Sequence, residues 1–511
     1  MIYLEKKTFP HKGNTLIYFT YEDALKGDIF LKRLNILTGE RIAKKIKRHE
    51  FTGKKDESII VEGGDVYENI IIYSLGKSKE RPLVSIRDGL ANAVRLASSL
   101  KSSSIHLYYI PIMGDDFFDL GKNCAIGFYM GNYRFDKYKS KEQKKKNHIV
   151  QDMYVYSEKD FSPEFEQGIR YGEYIVKGVT TACDLVNEPA SFVHPETLMK
   201  EAFNIEKESQ GTITAQVLDR QECERLGMGA FLGVAKGSER EPKFIILKYN
   251  PKSATSAFVK ATADKAKKIC LIGKSITFDS GGISLKPSLG MEEMKSDMAG
   301  GATVLGVFKI LAHLDKIVNI SSYGEIYGIL PACENMPSGK ALKPGDVVRG
   351  LNGKTAEVIN TDAEGRLTLA DAVAYAEKYI QPDEIIDLAT LTGACKVALG
   401  ENIAGLFGNN DTFTKRFIKI TQEEGEEVWQ LPLYKPYLKL LKSDIADLKN
   451  VSSRGWGGAI TGALFIGEFV VKAKWIHIDI AGPSYVTSSS GIANSGATGW
   501  GVLSIISYLA T

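Results

Sequence analysis

Between an apolar run ending at Ile359 and a helix-like segment from Leu367 lies the octapeptide Asn360-Thr361-Asp362-Ala363-Glu364-Gly365-Arg366-Leu367. Two carboxylates and a guanidinium fall within five residues. Carboxylates two apart at a strand end can converge on one metal pair. An arginine two residues further can hold an anion beside them. The segment therefore asks for a strand-to-helix junction that opens onto a cleft, with further ligands supplied from elsewhere in the chain.

The rest of the sequence provides such a setting. Short apolar runs at Thr15–Phe19, Ser58–Val61, Asn69–Ser74 and Ile105–Ile112 read as strands, and Ile86–Leu100 carries apolar residues at helical spacing. Ala125–Tyr138 reads as a helix with an aromatic face. The charge run Lys139–His148 reads as a solvated loop. Phe161–Asn187 reads as a long linking helix. Beyond it, strand patterns at Phe244–Tyr249, Ile269–Thr277, Ile320–Leu330, Glu357–Asn360, Glu384–Ala389 and Trp475–Ile480 alternate with helical patterns at Thr303–Leu314, Leu367–Tyr379 and Ala459–Lys472. Alternation of this kind predicts an α/β fold. It has a smaller N-terminal α/β domain (1–150), a linking helix (151–190) and a larger C-terminal domain (191–511) with a central mixed sheet flanked by helices.

Composition narrows the function classes. A net charge of +3 over 511 residues gives no global argument for nucleic acid or an acidic membrane as partner. The six cysteines show no C-x-x-C spacing, which argues against a disulfide framework and a thiolate zinc site. The N-terminus lacks a signal-peptide pattern, and no apolar run reaches the roughly 18 residues of a membrane span. The expected setting is cytoplasmic.

Two further stretches carry chemistry. Gly273-Lys274-Ser275-Ile276-Thr277-Phe278-Asp279-Ser280-Gly281-Gly282 continues straight from the strand pattern Ile269–Ile272, and Lys286 follows on the turn. Alternate side chains of a strand share a face, so Lys274 and Asp279 could both reach a cleft at its end. The third stretch, Met294-Lys295-Ser296-Asp297-Met298, precedes small residues that open a helix. Asp279, Asp297, Asp362 and Glu364 then give four carboxylates on three segments, with lysines and no histidine among them. Hard oxygen ligands suit zinc, manganese, magnesium or cobalt. A metal pair can lower the pKa of a water and stabilise a tetrahedral intermediate.

These three stretches resemble the leucyl aminopeptidases, the cytosol aminopeptidase family of di-zinc exopeptidases. The resemblance extends to Asp184-Leu185-Val186-Asn187-Glu188-Pro189, Thr390-Leu391-Thr392-Gly393-Ala394, Lys442–Leu448 and Asp479-Ile480-Ala481-Gly482-Pro483. It implies a metal-dependent aminopeptidase that acts on short peptides with leucine or another apolar N-terminal residue. By the family's pattern, Lys274, Asp279, Asp297, Asp362 and Glu364 hold two divalent ions. Lys286 and Arg366 are the catalytic residues, a metal-bridged hydroxide is the nucleophile, and bicarbonate held by Arg366 is the general base. Met294 and Thr390 match residues lining the side-chain pocket, and the Leu391 backbone matches one that receives the substrate amine. The family assembles as a homohexamer. Some bacterial relatives also bind DNA, for which the motivating feature here is the basic run Lys139–Lys146. Ser275 stands where many relatives have glycine, and the N-terminal third diverges most.

Overall fold

The computed structural model of the chain describes residues 1–7, 12–79, 82–108, 116–250, 267–314, 323–452 and 454–511. It is a mixed α/β protein with a smaller N-terminal unit (Met1–Val176 with Ser488–Asn494) and a larger unit (Lys177–Thr487 with Ser495–Thr511). The helix Pro163–Asn187 contributes residues to both.

In the N-terminal unit, six strands run in the order Ile2–Lys6, Asp152–Ser157, Ser104–Tyr108, Gly13–Thr20, Tyr67–Ser74, Ser58–Glu62. All neighbours are parallel except the last pair. Parallel strands need both faces covered. One face carries Ile17, Ile71, Leu90, Val94 and Phe128 in one cluster, and the other carries Leu16, Leu34, Ile70 and Ile72. The helix expected over Ala125–Tyr138 spans Phe117–Asn132 instead, because Asp116 caps its start by accepting the Asp119 N–H. The basic run is not a plain loop. Ser140 caps a short helix, Lys141–Lys146. The strand expected to continue to Ile112 is seen to Tyr108, and 109–112 lie outside the described residues.

The larger unit is built on a nine-stranded mixed sheet. At its centre the strands Lys474–Asp479, Glu384–Ala389, Lys267–Gly273 and Tyr323–Asn335 lie side by side and parallel. Their apolar residues are almost wholly buried, as continuous runs in a two-sided parallel sheet should be. The helix Ala299–Leu314 packs on this sheet with Val304, Leu305, Val307, Phe308 and Leu311 at zero exposure, each contributing about 1.5–3 kcal/mol by burial. The stretch Met291–Leu314 is long and apolar enough to span a membrane by composition. Of its most apolar window, 89% is buried inside the protein, as befits a core helix. All six cysteines are buried and unbridged.

Two departures from the sequence pattern shape the site. The run expected as one strand, Ile269–Thr277, breaks at Lys274 into Lys267–Gly273 and Ser275–Asp279. The Lys274 N–H goes to Leu388 O, and the second piece pairs with the end of Tyr323–Asn335. The strand expected at Glu357–Asn360 is Thr355–Glu357. Beyond it, the N–H groups of Ile359 and Asn360 are taken by the Asn450 side chain rather than by a neighbouring strand.

Candidate active site

In parallel sheets, ligands bind beyond the carboxyl ends of the strands. Here those ends deliver Lys274 after Gly273, Asp279, Asn335, Thr390 after Ala389, and Asp479. Asp297 arrives from the next layer, closing the short helix Met291–Ser296 just before Ala299–Leu314 begins. The glycines Gly300 and Gly301 let that helix meet the strand ends. A Cβ on Gly300 would sit 2.1 Å from Leu388 O.

The octapeptide wraps the same ends, and nearly every residue of it has a local task. The Asn360 side chain accepts the Asp362 N–H at 2.8 Å, forming an Asx turn. Thr361 Oγ1 accepts the Ser284 N–H and donates to Gly281 O, tying the octapeptide to the Gly281–Ser284 turn. Gly281 has φ +85°, a conformation that side chains other than glycine rarely adopt. Lys286 follows that turn. A Cβ on Gly365 would lie 2.4 Å from Lys274 Cε, so only glycine leaves room for the lysine. Leu367 anchors the following helix in the core at zero exposure.

The result is a cavity of about 470 Å³ whose walls include all ten residues singled out from the sequence: Lys274, Asp279, Lys286, Met294, Asp297, Asp362, Glu364, Arg366, Thr390 and Leu391. Lys274 Nζ donates to Asp297 Oδ1 at 2.7 Å and to Thr390 O at 2.9 Å, and lies 2.8 Å from Glu364 Oε1. Lys286 Nζ lies 2.8 Å from Asp279 Oδ2 and 2.6 Å from Asp362 Oδ1. The Glu364 and Asp362 approaches bring charges together without the directionality of hydrogen bonds, and both oxygens are otherwise unpartnered. Arg366 Nη1 donates to Asn450 O at 2.8 Å, while its buried Nε meets no acceptor among the described residues. Ser275 is accommodated: its hydroxyl donates to Gly273 O and fills the space left by Gly301.

Burial raises the pKa of Asp279, Asp297 and Asp362, and neighbouring carboxylates add to the effect on each. Burial also works against the charged Lys274 amine. The charges of Asp297, Glu364 and Asp279 outweigh it and hold that amine above the ordinary lysine value. Burial pulls Arg366 down to about 10 despite Glu364 and Asp479.

A divalent cation fits these residues. Asp279, Asp362 and Glu364 each present an oxygen within 4.8 Å of the others. Asp297 Oδ2 is buried with no hydrogen-bond partner among the described residues, a costly state for a carboxylate unless a cation meets it. The donors are carboxylate oxygens and one amine, with neither thiolate nor imidazole among them.

Three supporting residues were given no role by sequence reasoning, although Asp479 opens one of the matched stretches. Asn335 Nδ2 donates to Asp279 Oδ1 (2.8 Å) and Thr361 O (3.0 Å), joining one strand end to the octapeptide. Asn450, fully buried, accepts from Ile359 and Asn360, donates to Asn360 O, and offers its own carbonyl to Arg366. Asp479 holds the loop after Ala389. Asp479 had the signal of its matched stretch and of its place at the end of an apolar run, whereas nothing around Asn450 in the sequence marks it out.

The chain as a whole is similar to known proteins. Residues 180–506 match the catalytic domain of the cytosol aminopeptidase family, and residues 17–142 match that family's N-terminal domain. A probable cytosol aminopeptidase of Alkaliphilus oremlandii is 38% identical, over 96% of this chain and 95% of that protein. One from Aquifex aeolicus is 38% identical, over 98% and 96%. Among solved structures, a mutant of tomato leucine aminopeptidase superposes with a TM-score of 0.87 at 32% identity, covering 100% of this chain and 96% of that one. The bottromycin maturation enzyme BotP in complex with Mn superposes with a TM-score of 0.81 at 28% identity, covering 98% and 99%. The chain belongs to the cytosol aminopeptidase family and is a metal-dependent aminopeptidase, a hydrolase acting on peptides.

Proposed function

We propose that this aminopeptidase removes leucine and other apolar residues from the N-termini of short peptides, using two divalent ions held by Lys274, Asp279, Asp297, Asp362 and Glu364. The observation that carries this reading is the meeting of Asp279, Asp362 and Glu364, from two separate segments, within 4.8 Å at the strand ends. Zinc is the first candidate, with manganese, magnesium and cobalt compatible with the same donors. When bound, a metal pair supplies Lewis acidity, which lowers the pKa of water and polarises a carbonyl.

The chain's own residues do the rest. Positive ions among these carboxylates would reverse the field at Lys274 and favour its neutral, ligating amine. Lys286, half-buried at the open side beside Asp279, would donate to the oxyanion as charge develops on the scissile carbonyl. Arg366 has one N–H fixed on Asn450 O and a buried Nε to spare, which suits a small planar anion. Bicarbonate bound there would supply the general base that the side chains lack. Met294 and Thr390 line the cavity beside Leu391 and would border the substrate's first side chain. Coordination of a free α-amine would restrict the enzyme to unblocked N-termini.

Release of chromophore from leucine-p-nitroanilide with added zinc or manganese, and none from its N-acetyl derivative, tests the reading. No release by metal-loaded protein would contradict it. A homohexamer in the cytoplasm is the proposed assembly, and a monomer in sedimentation would rule out that assembly.

A further inference from the structure

Asp479 is fully buried at the end of the strand Lys474–Asp479, in register with Ala389. It does not line the cavity. Its carboxylate nevertheless faces the cavity's wall from behind. Oδ1 accepts the N–H of Leu391 at 3.2 Å, of Ala481 at 3.2 Å and of Thr392 at 3.4 Å. Oδ2 accepts the Thr392 hydroxyl at 2.6 Å. Three of these four hydrogens come from two consecutive residues.

Those residues belong to Thr390–Leu391–Thr392, the link between the strand Glu384–Ala389 and the helix Gly393–Leu399. The tripeptide has no strand partner of its own. On its other side it grips the site: Thr390 O accepts from Lys274 Nζ at 2.9 Å, and Thr390 Oγ1 donates to Asp297 Oδ1 at 2.7 Å. Asp479 is thus the rear anchor of a segment whose front touches two of the proposed metal ligands. A carboxylate suits the task because both oxygens accept. An amide would turn an N–H₂ towards groups that donate. Behind Asp479, His477 bonds to Asp387 at 2.5 Å, and Trp475 Nε1 holds the other Asp387 oxygen at 2.6 Å, so the support is itself braced.

We propose that Asp479 is a positioning residue that sets the Thr390–Leu391–Thr392 backbone to receive the free α-amine of the substrate. This rests on the assignment of the Leu391 backbone to that amine. The test compares leucine with 4-methylpentanoate, which has the same side chain and carboxylate but no amine, by calorimetric titration of metal-loaded enzyme. In the wild type, leucine binds the tighter of the two. In Asp479→Asn, leucine weakens about tenfold as the backbone that receives its amine loses part of its anchor, while 4-methylpentanoate shifts by less than about twofold and the metal content is unchanged. Thr392→Val leaves the backbone N–H bonds to Asp479 but removes the hydroxyl, with its bond to Asp479 and its cap on the Cys395 N–H, and it shifts leucine the same way by less, which keeps the test open if Asp479→Asn does not fold. Equal weakening of both ligands, or of neither, overturns the proposal. A wild type that binds both alike overturns the amine assignment beneath it.

Discussion

The two halves of the cavity are built differently. Around Lys274 everything is closed: its side chain is 4% exposed, that of Asp297 is 7% and that of Glu364 is 2%, and Thr390 bonds to both Lys274 and Asp297. Around Lys286 the site is open, with that side chain 20% exposed and Asp362 33%. The closed half is held by two strand ends and a helix start. The open half hangs on the Gly281–Ser284 turn and the octapeptide, laced together through Thr361 and Asn335. A rigid, dry set of ligands holds a cation tightly, and a wetter one exchanges it. The contrast therefore predicts two unequal metal positions, with the substrate entering on the open side.

The largest test of that contrast is Glu364→Ala, which removes a carboxylate of the closed half that also comes within 4.8 Å of Asp279 and Asp362. It is expected to lower kcat/KM by about 10³-fold or more, equivalent to about 4 kcal/mol, and to lower metal content as read by elemental analysis. Full metal content with full activity would remove Glu364 from the ligand set. Next in size is Lys286→Ala, which should cost about 10²–10³-fold in kcat with both ions retained, since its task is the oxyanion. Loss of an ion together with the rate would make Lys286 a structural counter-charge instead. Asn335→Ala acts one step behind Asp279 and should weaken metal affinity about 10–100-fold, with the effect confined to the open half. An equal weakening at both positions would erase the distinction between the halves. The smallest expected signal is kinetic. Chelation should remove the ions in two phases, the first without melting the fold, and a single phase would argue for equivalent positions.

The sequence made the site more legible than the fold around it. The octapeptide, the Lys274–Asp279 stretch and Asp297 were readable as candidates because the three stretches together resemble a known family, and the structure brings them to one cavity. The central strand Glu384–Ala389 was readable to the residue because Ile385, Ile386, Leu388 and Ala389 form a short apolar run, and all six of its residues are buried. What escaped depends on contacts far apart in the chain. Nothing near Val358 says that Asn450 will take the next two N–H groups and stop the strand at Glu357. The helix expected to reach Lys472 ends at Gly467, and the N–H groups of Val471, Lys472 and Ala473 go to the Glu377 carboxylate from a distant helix turn. The helix expected over Leu367–Tyr379 starts two residues earlier and passes into a wider turn at Ala376–Ile380. In the N-terminal unit, the strand Asp152–Ser157 fell inside the stretch read as a linking helix, and its pairing partners Ile2–Lys6 and Ser104–Tyr108 lie far away in the chain.

The central claim is that this cavity is a two-ion aminopeptidase site, and metal reconstitution tests it most directly. Protein stripped by chelation and titrated with zinc or manganese should bind two ions per chain. Hydrolysis of leucine-p-nitroanilide should be absent at the start and restored as the second position fills. Undiminished hydrolysis by the stripped chain, or saturation at a single ion with full activity, would contradict the account.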